Sequence, residues 1–155
     1  MRVTKYKTKL TKCQKVVLEK EVSFNYPGMD RFMSSPEKIA RFAKDVLRIH
    51  EEPEEYLYMM CLNNKLVMTS VFELSHGTVN SSVVGIREMF QKALLANAVN
   101  VIVFHNHPSG DCRPSNQDID ITKRMIEAGK LLGVDVLDHI VVGDTYCSLK
   151  EKGYI

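Results

Sequence analysis

The chain has 155 residues and a formal charge of +2, with 45% apolar and 26% charged residues. These proportions are typical of one globular domain and exclude a disordered chain or a collagen-like repeat. Apolar runs such as residues 99–104 are far shorter than the roughly 20 residues of a membrane span. The basic N-terminus lacks the apolar stretch of a secretory signal, so we predict a cytoplasmic protein without a membrane segment.

The first 34 residues are predicted to form a basic extension, separate from a domain over residues 35–155. Residues 1–20 carry seven Lys or Arg and a single Glu. Alternation over residues 6–10 and 15–22 predicts a short hairpin, followed by a linker rich in turn-forming residues. The positive charge could contact nucleic-acid phosphates. It is also typical of an edge strand on which lysine discourages aggregation, and we favour that interpretation.

Helices and strands interleave along the rest of the chain. Apolar residues at helical spacing, with Ser35 as N-cap and Gly133 as a stop, predict helices over residues 35–50, 85–97 and 116–132. Shorter apolar runs predict strands over residues 56–62, 66–74, 99–104, 134–142 and 146–149. This order predicts a layered α/β domain with the strand over residues 99–104 near the centre of its sheet.

Four scattered cysteines form no C-x-x-C pair, which argues against a disulfide framework and a zinc ribbon and predicts free thiols. A different metal-binding pattern follows the central strand. His105 and His107 stand two residues apart, so on an extended backbone both side chains project from one face. Asp118 falls in the first turn of the next helix. Two nitrogens and one oxygen suit a catalytic zinc, although Cys112 could complete a closed site.

Part of this pattern also has a structural interpretation. Ser115 and Asp118 match the spacing of a helix capping box, and a lone histidine at a strand end is usually an ordinary polar residue. We interpret His139 in this way, as a packed or hydrogen-bonded strand residue rather than a fourth ligand. Two histidines after an apolar strand are harder to explain without a partner, because burying them is costly. The combination favours a metal site.

The flanking residues add a family resemblance. His105-x-His107-Pro followed by Ser115-x-x-Asp118 resembles the JAMM (MPN+) metalloprotease motif. The longer string HNHPSGD…PSNQD, with Arg-Glu upstream and Asp-His-Ile downstream, resembles the RadC family over roughly residues 35–155. The resemblance implies a mixed β-sheet sandwiched by helices (α/β/α), as in cytidine-deaminase-like folds. It also implies one Zn²⁺ per chain and hydrolysis of a peptide or isopeptide bond. Longer members carry a helix-hairpin-helix region that this short form is expected to lack.

Family roles are carried over only onto matching positions. The resemblance assigns metal binding to His105, His107 and Asp118, and support of the reaction's oxyanion to Ser115. Asp111, Asp138 or backbone carbonyls are candidates to hold the outer nitrogens of the imidazoles.

The general base is assigned by the same resemblance to a glutamate near the start of the first hairpin strand after residue 35. Glu55 is the best match, and Glu54, Glu73 and Glu88 remain alternatives. A DNA-associated module, of the kind suggested by the family's repair label, and an inactive scaffold are the competing functions.

Overall fold

The computed structural model describes residues 1–77 and 85–155. The strands of its described part are β1 (Arg2–Leu10), β2 (Val16–Asn25), β3 (Glu55–Leu62), β4 (Met68–Gly77), β5 (Asn100–Asn106), β6 (Asp135–Val142) and β7 (Tyr146–Ser148). The helices are α1 (Pro36–Asp45), α2 (Ile86–Leu95) and α3 (Asn116–Leu132), with a short 3-10 turn at Ile49–Glu51. Within these ranges, no helix has the length and hydropathy needed to span a bilayer.

The strands form one mixed sheet in the order β2-β1-β4-β3-β5-β6-β7. The β1–β4 and β5–β6 pairs are parallel, and the other pairs are antiparallel. Because side chains alternate along each strand, Met60 packs with Phe42 of α1 on one face, and Met59 packs with Phe90 of α2 on the other. Met125 of α3 lies on this second face. The predicted α/β/α architecture is confirmed.

The first 25 residues are two strands of this same sheet. β1 lies between β2 and β4, Lys5 is opposite Val71, and Val3 is fully buried. The following segment also packs on the sheet, since the Arg31 guanidinium donates to the carbonyl of Met68 at 2.6 and 2.9 Å. The domain boundary at residue 34 stays a prediction.

The ends of the helices follow their capping residues. The Ser35 hydroxyl accepts the Lys38 amide and Pro36 occupies the first turn of α1. This helix ends at Asp45, so its predicted extension to His50 was wrong. The C-cap is Val46, and Arg48, at a φ of 56°, takes the left-handed conformation just before the 3-10 turn that contains His50. Gly133 closes α3 in the same conformation, with a φ of 69°.

Candidate metal centre

The three candidate metal ligands meet at the end of β5. β5 extends two residues beyond the predicted strand, so His105 is a strand residue, paired with Leu57 on β3 and Val141 on β6. The His107 amide then donates to the carbonyl of Val142 at 2.8 Å, which continues the extended backbone. Both imidazoles consequently face α3, whose first turn carries Asp118.

The ligand atoms have the spacing of a small coordination site. One atom from each of His105, His107 and Asp118 lies within 4.8 Å of the others. The two Nε2 atoms are 2.9 Å apart, and the carboxylate oxygens of Asp118 lie 3.6 Å from His105 Nε2 and 3.7 Å from His107 Nε2. Tetrahedral zinc with bonds of about 2.0–2.1 Å would place its ligands roughly 3.3 Å apart. The donor set and spacing fit such an ion.

Electrostatics also favour a cation at this point. Burial lowers the pKa of His105 well below its usual value, and the neighbouring imidazole of His139 adds to the effect. The pKa of His107 is raised, chiefly by the neighbouring Asp118 carboxylate. Burial alone would raise the pKa of Asp118, but the nearby imidazoles of His107 and His105 and the hydrogen bonds from Ser115 outweigh it and lower that pKa. A partly buried carboxylate thus faces two imidazoles.

Ser115 supports Asp118 through the helix cap. Its amide and hydroxyl both donate to Asp118 Oδ2 at 2.7 Å, and the hydroxyl accepts the Asp118 amide at 3.1 Å. This capping box anchors Oδ2 and leaves Oδ1 facing His105. In this arrangement the Ser115 hydroxyl donates its proton to the Asp118 carboxylate. Donation to an oxyanion would require the hydroxyl to rotate away from Asp118.

Glu55 is the glutamate that the fold brings to the cluster. Its Oε1 lies 4.0 Å from His107 Nε2, and the side chain is three-quarters buried. Burial raises the pKa of Glu55 and the charge of Asp118 raises it further, while His107 opposes them. A carboxylate with a raised pKa next to a metal position has the properties of a general base.

The three alternative glutamates have other surroundings. The Glu54 side chain is exposed. Glu73 is held by Lys5 at 2.9 Å and by His76 at 2.8 Å. Glu88 is exposed at the start of α2, 3.0 Å from its neighbour Arg87.

Asn106 holds the backbone on both sides of Glu55. Its amide oxygen accepts the Tyr56 N–H at 2.7 Å, and its amide nitrogen donates to the Glu54 carbonyl at 2.9 Å. Sequence reasoning missed this residue because it lies between the two histidines and projects from the opposite face of β5. A buried asparagine between two ligands was the available signal.

The outer nitrogens of the imidazoles have partners that the sequence identified only in part. His107 Nδ1 donates to the backbone carbonyl of Asp111 at 2.7 Å, whereas the carboxylate of Asp111 binds Arg113. Asp138 binds the Ser148 hydroxyl and the Lys150 amide instead of an imidazole.

The partner of His105 was missed altogether. His105 Nδ1 lies 2.8 Å from His139 Nε2, and His139 Nδ1 lies 2.6 Å from the hydroxyl of Thr122 on α3. Both partners are buried, and their position at the site could not be inferred from their separate places in the sequence.

Cys112 does not join the cluster. Its sulfur lies 3.2 Å from the Thr145 hydroxyl. Among residues 1–77 and 85–155, the group able to hold a metal consists of His105, His107 and Asp118. Three protein ligands leave a position for a water or a substrate, as in catalytic zinc sites.

The fold and the site define the class of protein as an α/β/α domain with a candidate metal centre at the end of a central strand. Comparison with known families then gives its family. The model of the RadC-like JAB domain matches residues 33–154. The chain belongs to the RadC-like JAB domain family, as the sequence motif predicted.

Relatives in several microorganisms support this assignment. The chain is 42% identical over 124 residues to a UPF0758 protein of Clostridium acetobutylicum, covering 79% of this chain and 53% of the relative. It is 40% identical over 133 residues to a UPF0758 protein of Methanosarcina barkeri, covering 82% and 58% of the two chains. A UPF0758 protein of Halalkalibacterium halodurans is 42% identical over 130 residues, covering 82% and 55%. The chain therefore spans little more than half the length of these relatives.

Proposed function

We propose that the protein is a zinc-dependent metallopeptidase that hydrolyses a peptide or isopeptide bond, with one Zn²⁺ per chain. The observation that carries this proposal is the convergence of His105, His107 and Asp118 with Glu55 4.0 Å from His107. Three ligands of this kind suit a catalytic zinc site. The membership of the RadC-like JAB domain family adds support.

Each residue has a defined task in this proposal. Bound zinc supplies a positive charge that polarises a scissile carbonyl and lowers the pKa of a water toward about 7. Glu55 takes the proton of the attacking water and later delivers it to the leaving amine. Its partial burial supports this task, because a raised pKa brings proton uptake closer to neutral pH. Ser115 donates to the developing oxyanion once its hydroxyl turns from Asp118.

Metal content and hydrolysis test the proposal separately. Wild-type protein reconstituted with zinc is expected to hold about one zinc per chain by elemental analysis, and a His105→Ala, His107→Ala variant is expected to hold none. His76→Ala is the matched control, because His76 is exposed and pairs with Glu73 away from the cluster. A wild-type protein that retains no divalent metal would overturn the proposal.

Glu55→Gln separates catalysis from metal binding. Because Glu55 is not among the three ligands, the variant is expected to keep its zinc and to lose hydrolysis of a panel of peptides and isopeptide-linked peptides. Loss of a positioned general base typically costs 10²–10⁴-fold in rate. Unchanged activity would instead support an inactive scaffold whose background cleavage comes from elsewhere.

The nucleic-acid alternative has weaker support. Several lysines of the basic hairpin are already paired with carboxylates, since Lys7 and Lys9 lie 3.3 and 2.8 Å from the shared carboxylate of Glu19, and Lys5 lies 2.9 Å from Glu73. Salt-dependent DNA binding by the full chain, reduced by replacement of the remaining lysines, would favour this alternative.

A further inference from the structure

We propose that Thr122 and His139 are positioning residues that fix the tautomer of His105, so that its Nε2 lone pair points at the metal position. The inference rests on the proposed metal site and goes beyond it, because it assigns a role to two residues that are not ligands. Hydrogen-bonded groups run from Thr122 on α3 through His139 on β6 to His105 on β5.

The first step concerns the single hydroxyl proton of Thr122. The Thr122 hydroxyl donates to the backbone carbonyl of Asp118, one helical turn earlier. A hydroxyl has one proton to donate. The 2.6 Å contact with His139 Nδ1 must therefore be one in which Thr122 accepts and His139 Nδ1 carries the hydrogen.

The position of the hydrogen on His139 determines which nitrogen of His105 carries a hydrogen. His139 is 1% exposed, and its ring nitrogens contact a hydroxyl and an imidazole rather than a carboxylate, so this environment holds the buried ring neutral. A neutral imidazole has one N–H, so His139 Nε2 is an acceptor. Its partner at 2.8 Å is His105 Nδ1, which must be the donor. With its Nδ1 donating to His139, the buried imidazole of His105, 3% exposed, consequently carries a lone pair on Nε2.

His105 and His107 face each other through their Nε2 atoms. His107 Nδ1 donates to the Asp111 carbonyl, so Nε2 is the ring nitrogen that His107 turns toward His105. The two Nε2 atoms face each other at 2.9 Å, next to the Asp118 carboxylate. The His105 lone pair can accept a proton carried by His107 Nε2, or it can bind a metal cation placed between the two nitrogens. The hydrogen-bond chain therefore prepares the cluster for a metal.

These hydrogen bonds also connect two of the proposed ligands, His105 and Asp118. The Thr122 hydroxyl is anchored to the backbone of Asp118, whose side chain completes the cluster. A structural role would require only that every buried polar group has a partner. The positioning role requires one direction of donation, from His105 through His139 to Thr122, and this direction can be measured.

The first experiment reads the tautomers directly. Long-range ¹⁵N–¹H correlation spectra of the metal-free wild type at pH 7.5 are expected to show Nδ1–H forms for His105 and His139. A His105 spectrum of the Nε2–H form would overturn the proposal whether or not the protein is a peptidase. The expected tautomers without any hydrolysis would retain the proposal and reject the peptidase.

Thr122→Val and Thr122→Ser form the matched pair for the second experiment. Valine removes the acceptor, so His139 is expected to move its proton to Nε2 and force the His105 proton onto the ligating nitrogen. Zinc affinity, measured by competition with a chelator, is expected to fall 10–100-fold, as for other partners of metal-bound histidines. Serine keeps the hydroxyl and is expected to retain the wild-type tautomer and affinity.

The two variants keep the proposal falsifiable. Wild-type zinc affinity in a folded Thr122→Val protein would overturn it, as would an equal loss in both variants. If the valine variant does not fold, the wild-type spectra still decide the matter. Hydrolysis is not needed for any of these measurements, so failure of the peptidase proposal leaves them interpretable.

Discussion

Acidification of the metal-free protein is expected to destabilise the fold through His139. Burial lowers the pKa of this imidazole from 6.5 to about 4 in the folded chain. Between these values the unfolded chain binds a proton that the folded chain does not, so the free energy of unfolding decreases as the pH falls. The stabilisation is complete above pH 6.5. At pH 5, His139 alone accounts for a loss of about 2 kcal/mol, at about 1.4 kcal/mol per pH unit.

Neighbouring groups modify this trend in known directions. Burial also lowers the pKa of His105, which adds to the loss. The raised pKa values of His107 and Glu55 act in the opposite sense, because the folded chain then takes up protons more readily than the unfolded chain. The lowered pKa of Asp118 contributes a further loss only below about pH 4.

Comparison with His139→Gln isolates the contribution of His139. Glutamine can accept the His105 hydrogen bond but does not titrate. Urea unfolding with a metal chelator present is measured at pH 8 and pH 5 for both proteins. The wild type is expected to lose about 2 kcal/mol more than the variant over this interval. Equal losses would refute the argument from burial.

Three further changes test the surroundings of the cluster. In Gly143→Ala, the new Cβ would lie 2.1 Å from the Gly110 carbonyl oxygen. The loop that follows His107 must then move by about 1 Å. Zinc affinity, measured by competition with a chelator, is expected to fall at least tenfold. Gly85→Ala, whose Cβ has atoms of the movable Glu88 side chain as its nearest neighbours among the described residues, is the control. Asn106→Leu removes both bonds that flank Glu55 and is expected to reduce hydrolysis at least tenfold with full zinc content; loss of zinc would contradict this assignment. Ser115→Ala removes the cap of α3 and is expected to cost about 1 kcal/mol in urea unfolding, whereas Ser115→Thr should cost little.

Local patterns predicted the His-His-Asp group because the spacing of its residues is itself local. His105 and His107 share one face of an extended strand, and Asp118 follows a recognisable helix cap. The sequence could not show that β1 pairs in parallel with β4, since strands 66 residues apart, as for Lys5 and Val71, meet only in the folded sheet. This long-range pairing joins the basic segment to the domain.

The hydrogen bonds beyond the ligands were harder to predict. His139 has the pattern of an ordinary buried strand residue, and Asn106 points away from the ligands on either side of it. Their roles depend on donors and acceptors from separate elements, such as Thr122 on α3 and the backbone of β3. No sequence spacing encodes these contacts.

The position of β1 has a consequence for shortened versions of the chain. Deleting residues 1–34 would remove β1 and leave β4, which contains the fully buried Val71 and Phe72, as an edge strand paired with β3. In the full chain the edge strand is β2. Its charges alternate in sign at Glu19, Lys20 and Glu21, which discourages the addition of strands from other molecules. A truncated protein would therefore expose an apolar edge strand and self-associate in solution, even with His105, His107 and Asp118 in place.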